Sequence, residues 1–145
     1  MSKEKQKKTN ALRILDTHKI PYSISEYEWS EERAAGLHVV EALKLDEKQV
    51  FKTLVGKSDK IGYVVFCIPV AEELDMKQAA ITGYLRGGCS PVGMKKAFPT
   101  YFDATMEPQK FVYVSAGLRG MQMKVNPKDL ASVVNAEFVE LTMDH

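Results

Sequence analysis

Between Thr9 and Ile20 the chain reads TNALRILDTHKI, and Leu12, Leu15 and Ile14 fall where a helix would carry an apolar stripe. Thr9 or Asn10 supplies the cap, and Pro21 stops the helix because the residue before a proline is driven out of the helical region. YSISEYEW then alternates in places and is rich in aromatic residues, which predicts a strand over roughly residues 22–28. A second helix is expected from about residue 36 to Lys44 within EERAAGLHVVEALKL.

Asp46 caps a short turn before two β-rich runs, QVFKTLVGK and GYVVFCIPV, which KSDKIG joins as a hairpin. ELDMKQAA begins another helix, with Glu72 or Glu73 near its positive end. YFDAT reads as a short strand or turn. FVYVSAG is a strong strand, with MQMKV its hairpin partner across GLRG. In NPKDLASVV, Asn126 is placed to cap a helix, Pro127 occupies its first position and Asp129 its first turn. AEFVEL closes the chain as a strand. Strands and helices are interspersed without strict βαβ alternation, so the expected architecture is a single α+β domain over residues 9–145. Its sheet should be mixed and largely antiparallel with flanking helices, and residues 1–8 form a flexible basic tail.

Charge narrows the function classes. The formal net charge is +1, too small for a surface that grips a duplex, so any nucleic-acid contact is confined to a few phosphates or a chain end. Cys67 and Cys89 cannot complete a four-ligand zinc site, and His18, His38 and His145 stand in no ligand spacing with them. Cys67, inside YVVFCIPV, reads as a reduced core residue. No apolar run approaches the length of about 20 residues that a membrane helix needs. MSKEKQKK lacks the apolar stretch of a secretory signal, so the expected location is cytoplasmic.

YLRGGCSPVGMKK, residues 84–96, is the segment with the most chemistry in it. Its glycines and proline exclude a regular helix or central strand. Consecutive backbone N–H groups in GGCSPVG could form a concave cradle for a phosphate, carboxylate or carbonyl oxygen, or the segment could be a plain loop. A nucleophilic Cys89 would need a base within reach; only His38, distant in sequence, offers one. Ser90 and Ser115 lie in no GxSxG elbow and are suited to orienting a substrate rather than attacking it. Lys52 interrupts the apolar run VFKTLV on the face opposite Phe51, next to Thr53. It is either the solvated side of an edge strand or a cation held at a cleft wall. Ser115, Ala116 and Gly117 pose the same choice between a hairpin turn and a wall of small residues.

Taken together, KTNALRILDTHKIPY, HVVEALKLDEKQVFKTLV, GYLRGGCSPVGMKK and YVSAGLRGMQMKVNPKDL resemble the YbaK/EbsC family. These are free-standing aminoacyl-tRNA deacylases related to the editing domain inserted in bacterial prolyl-tRNA synthetases. The likeness runs in order from about Lys8 to Phe138. It implies a barrel-like editing-domain core and a trans-editing hydrolase for Cys-tRNA(Pro), with Cys-tRNA(Cys) as a further substrate. Alanyl-tRNA(Pro) hydrolysis and a non-catalytic aminoacyl-tRNA or anion-binding module are the alternatives. The resemblance makes Lys52 central, set against the terminal phosphate or ribose, with the Gly87 and Gly88 N–H groups near the carbonyl. Thr53 and Ser115 would orient the aminoacyl group, Tyr22 would meet the terminal nucleotide, and Ser90 and Gly117 would line the pocket. The implied partners are the tRNA 3′ end carrying cysteine and prolyl-tRNA synthetase. No cofactor or metal is implied, because the family's cysteinyl substrates attack their own ester through the thiol.

One departure stands out. Relatives carry a further, partly helical segment where Ala80 here meets Ile81 directly. ELDMKQAA ends without a terminating signal, so a segment missing between Ala80 and Ile81 is expected rather than a true deletion.

Overall fold

The structure is a computed structural model that describes residues 9–28, 40–58, 62–72, 83–85, 98–117 and 120–142. Helix α1 (Asn10–Thr17) starts where Thr9 Oγ1 accepts the Leu12 N–H at 3.2 Å, and it buries Ala11, Leu12 and Leu15. The stripe read from sequence is therefore the buried one. Residues 40–43 are helical, in line with the second expected helix. A short 3-10 turn follows, capped by Asp46, whose carboxylate accepts from Lys48 N at 3.0 Å.

Eight strands form two sheets among the described residues. In the first, β1 (Tyr22–Glu26), β7 (Met121–Val125) and β6 (Val112–Ser115) lie in that order, all antiparallel. The second runs β4 (Gly83–Leu85), β2 (Phe51–Ser58), β3 (Gly62–Pro69), β5 (Thr100–Asp103), β8 (Glu137–Val139). β4, β2 and β3 pair antiparallel, whereas β3–β5 and β5–β8 are parallel. Both expected hairpins, β2–β3 and β6–β7, are present. The expected barrel-like closure is not: the described strands make two sheets joined by one parallel bridge, Val50 to Tyr113.

Helix α2 (Pro127–Val134) has the cap that its sequence predicts. Asn126 Oδ1 accepts from Lys128 N at 2.9 Å and Asp129 N at 3.0 Å, while Asn126 Nδ2 donates to Lys110 O at 3.2 Å. Asn135 ends it in the left-handed region at φ 57°, which asparagine tolerates. One core lies between the two helices and the sheets, built on Leu12, Leu15, Phe51, Phe102, Met123 and Leu130. A second, on the opposite face of the five-stranded sheet, gathers Leu54, Val64, Phe66, Ile68 and Leu141. A third packs Val50 and Val70 with Val40, Leu43, Leu45, Tyr27 and Tyr113, covering the place where the two sheets meet.

Candidate active site

Alternation along β2 decides where its chemistry points. Phe51 and Thr53 face the main core, and the Thr53 hydroxyl lies 3.4 Å from Cys67 Sγ on the paired strand. Lys52 and Leu54 face the other way, Lys52 opposite Ile68 and Leu54 opposite Phe66. Lys52 is half-buried rather than splayed into solvent, and it takes part in an interaction within the protein. An apolar floor beneath a lysine confines the ammonium and lowers the screening of any anion it meets.

The Val50–Tyr113 bridge joins the strand of this lysine to that of Ser115. It is parallel and isolated, and Lys52 and Ser115 each lie two residues beyond it on their strands. Across the three-stranded sheet Ser115 pairs with Gln122, and Gln122 with Ser25. The result is a polar row, Ser115, Gln122 and Ser25, with Lys52 on the strand that the bridge joins to it. Its neighbours Val112, Val114, Met121, Met123 and Val125 turn to the core. The third apolar cluster, at Val50 and Tyr113, flanks the row on the same face.

Local bonds fix the end of β6. Ser115 Oγ accepts the Gly117 N–H at 3.0 Å, so that N–H is already satisfied. Gly117 has φ 97°, a conformation that suits glycine. Ala116 N donates to Met121 O at 3.2 Å, and Ala116 O accepts from the Thr9 hydroxyl that also caps α1. The start of α1 therefore anchors the Ser115–Gly117 corner.

Gln122 was not singled out by any motif. In MQMKV its place in the alternation marks it only as facing away from the core, like Lys124. Yet Gln122 is just 7% exposed, and its amide oxygen has no hydrogen-bond partner among the described residues. Leaving a buried acceptor unsatisfied costs about 1–3 kcal/mol. Its burial is set by tertiary packing, which the alternation of a single strand does not display.

Tyr22 is placed elsewhere. It lies on the core-facing side of β1, its hydroxyl donating to Asp16 Oδ1 at 2.9 Å. Two strand spacings and three residues separate it from Ser115, about 14 Å by ordinary sheet geometry. Gly87, Gly88, Cys89, Ser90, His38 and the Ala80–Ile81 junction lie outside the described residues. The chain enters the Gly-rich segment from β4, whose Leu85 pairs with Val55, three positions from Lys52 on the same strand.

Cys67 is fully buried, and that burial pushes its thiol up to about 12, partly offset by the bond from Thr53. It stays a neutral thiol and is no nucleophile. Among the described residues no group of three or more His, Cys, Asp or Glu side chains could hold a metal ion. No described helix is long and apolar enough to cross a membrane. What the seam offers is a cation on one strand and hydroxyls and an amide in a row on the strands joined to it. That set suits binding and orienting an already reactive anionic ester.

The chain matches known proteins over the same segments. The aminoacyl-tRNA editing domain model matches residues 78–133. A protein of Enterococcus faecalis (strain ATCC 700802 / V583), assigned by name as the Cys-tRNA(Pro)/Cys-tRNA(Cys) deacylase EbsC, is 42% identical over 161 residues. That alignment covers 98% of each protein and is longer than this 145-residue chain, so the relative carries internal residues that this chain lacks. Among solved structures, one described as a trans-editing enzyme for prolyl-tRNA synthetase shares the fold at TM-score 0.74. It is 20% identical, and the match covers 96% of this chain and 100% of the other. A hypothetical protein shares the fold at TM-score 0.79 and 16% identity, covering 92% and 99%. With 42% identity held over nearly its whole length, the chain belongs to the YbaK/EbsC family of aminoacyl-tRNA editing proteins.

Proposed function

We propose that this protein is a trans-editing aminoacyl-tRNA deacylase that hydrolyses Cys-tRNA(Pro), and Cys-tRNA(Cys) as a second substrate. The observation that carries the reading is the parallel bridge from Val50 to Tyr113, which joins the strands carrying Lys52 and Ser115 two residues before each, with Lys52 on the face of the apolar cluster of Leu54 and Ile68. The relative assigned as a Cys-tRNA(Pro)/Cys-tRNA(Cys) deacylase supports it independently.

An aminoacyl ester is already activated, so a site can accelerate its hydrolysis by positioning and charge stabilisation without a protein nucleophile. In the proposed reaction the Lys52 ammonium holds the phosphate or ribose of the terminal nucleotide, and the Ser115 hydroxyl orients the aminoacyl group. Gly87 and Gly88 N–H groups are proposed as donors to the carbonyl oxygen, and Ser90 as a further pocket residue. The cysteinyl thiol attacks its own carbonyl. A C–S bond forms, the ester C–O bond breaks, and the thiol proton passes to the departing ribose oxygen; water then opens the cyclic thioester to free cysteine. Thr53, with its hydroxyl in the core, is proposed to fix β2 rather than touch the substrate.

The net charge of +1 gives little grip on a long acceptor stem, so selectivity for tRNA(Pro) is proposed to come from prolyl-tRNA synthetase. The experiment is hydrolysis of Cys-tRNA(Pro), Ala-tRNA(Pro) and Pro-tRNA(Pro), each with and without that synthetase. Loss of the cysteinyl ester alone is expected. Preferential loss of the alanyl ester would reassign the substrate, and binding without hydrolysis of any of the three would leave a non-catalytic aminoacyl-tRNA module.

A further inference from the structure

We infer that Gln122 is the receptor for the free α-amino group of the bound ester, so that the site selects aminoacyl-tRNA against N-blocked or peptidyl-tRNA. This rests on the deacylase reading for its substrate. It adds a recognition element to which no motif pointed.

Three observations converge. Gln122 is 7% exposed, and its amide oxygen has no partner among the described residues, although Ser25 and Ser115 flank it in register. The Ser115 hydroxyl accepts from Gly117 N instead of bonding Gln122. The Val50–Tyr113 bridge and the β6–β7 pairing also set the strand of Gln122 two strand spacings, about 10 Å, from the strand of Lys52. In the inferred binding mode a cation holds the terminal phosphate or ribose at one end, the ester lies at Ser115 and its amino group meets Gln122. A protonated amine is the strongest donor such an ester carries, and a shielded carbonyl oxygen accepts it in a charge-assisted bond. The cysteinyl thiol is a much weaker donor. Acylating the amine removes the charge and adds bulk where the row is enclosed.

The test compares Cys-tRNA(Pro) with N-acetyl-Cys-tRNA(Pro), which keeps the thiol and the ester and differs only at the amine. Wild type is expected to hydrolyse the free-amine ester roughly 10- to 100-fold faster in kcat/KM, the value of one hydrogen bond to a charged group. Gln122→Leu should lose that preference, the ratio of free-amine to N-acetyl rates falling toward one through a slower reaction of the free-amine ester. Its unfolding midpoint should be no lower than that of wild type, because an orphaned acceptor has been removed. Gln122→Glu, which keeps an acceptor, should retain the preference. In parallel, binding of the amide-linked, non-hydrolysable cysteinyl derivative of 3′-amino-3′-deoxyadenosine and of its N-acetyl form is measured by calorimetry. Wild type should favour the free amine at least about tenfold, and Gln122→Leu should bind the two alike. Equal binding of both probes by wild type, or an undiminished preference in Gln122→Leu, would overturn the inference. If wild type hydrolyses neither ester, the deacylase reading fails, while the two probes still decide the role of Gln122.

Discussion

Replacing Thr53 by valine separates a residue that shapes the site from one that touches the substrate. The Thr53 hydroxyl is buried at 6% exposure and lies 3.4 Å from Cys67 Sγ, on the face of β2 opposite Lys52. Valine keeps the β-branched shape and the strand preference and removes only the oxygen. A hydrogen bond to a neutral sulfur sits at the low end of the net range, about 0.5 kcal/mol lost. The added methyl group gains up to about 0.8 kcal/mol of burial. The two nearly cancel, so stability should change by less than about 1 kcal/mol and the melting temperature by no more than about 4 °C. Because the hydroxyl points away from the polar row, kcat/KM for Cys-tRNA(Pro) should stay within about twofold of wild type, a difference of some 0.4 kcal/mol. Urea unfolding and single-turnover deacylation on the same preparation read both quantities. A loss of tenfold or more in kcat/KM with an unmoved unfolding midpoint would refute the reasoning, since the hydroxyl would then have to reach the substrate.

Cys67 should resist thiol reagents at pH 8 in a folded Cys89→Ala variant and react fully once urea unfolds it; that variant should also keep most of its deacylase activity. The folded thiol is held at about 12, above its ordinary value of 9.0. The unfolded chain therefore loses this proton first, and the stability from a neutral buried thiol, complete below pH 9, should fall as pH rises toward 12. The slope approaches 1.4 kcal/mol per pH unit, approximately, and urea midpoints across that window measure it. Asp103, 1% exposed, accepts from Leu141 N at 3.0 Å, Thr105 N at 3.1 Å and Thr105 Oγ1 at 2.6 Å. Asp103→Ala should cost about 3 kcal/mol in urea unfolding by orphaning the buried Leu141 N–H. Gly117→Ala forces a side chain onto a φ of 97° and should cost about 1 kcal/mol or more, with deacylation falling as the Ser115 corner shifts.

The sequence displays most clearly what local chemistry decides. Thr9 and Asn126 cap the helices they were expected to cap, and the runs around Val64 and Val114 are strands because alternation and branching are local signals. The parallel β3–β5–β8 pairing was not legible, since nothing near Phe102 or Phe138 encodes which strand lies beside which. Lys52 was identified by its oddity in an apolar run and by family likeness, but the approach of its strand to that of Ser115 depends on one bridge, Val50 to Tyr113, made between residues far apart in sequence. The same limit hid Gln122, polar in an alternating strand and so indistinguishable from a solvated residue until tertiary packing buries it. Thr53 shows the converse: adjacency to Lys52 in sequence puts the two on opposite faces of a strand.

Most directly, the central claim is tested by the rate of Cys-tRNA(Pro) hydrolysis by wild type against Lys52→Ala, with matched circular dichroism and unfolding midpoints. Rapid loss of the cysteinyl ester is expected with wild type, and a fall of about a hundredfold or more in the variant, the scale of removing one positioned charge from such a site. A correctly folded Lys52→Ala protein that hydrolyses the ester at the wild-type rate would contradict that claim.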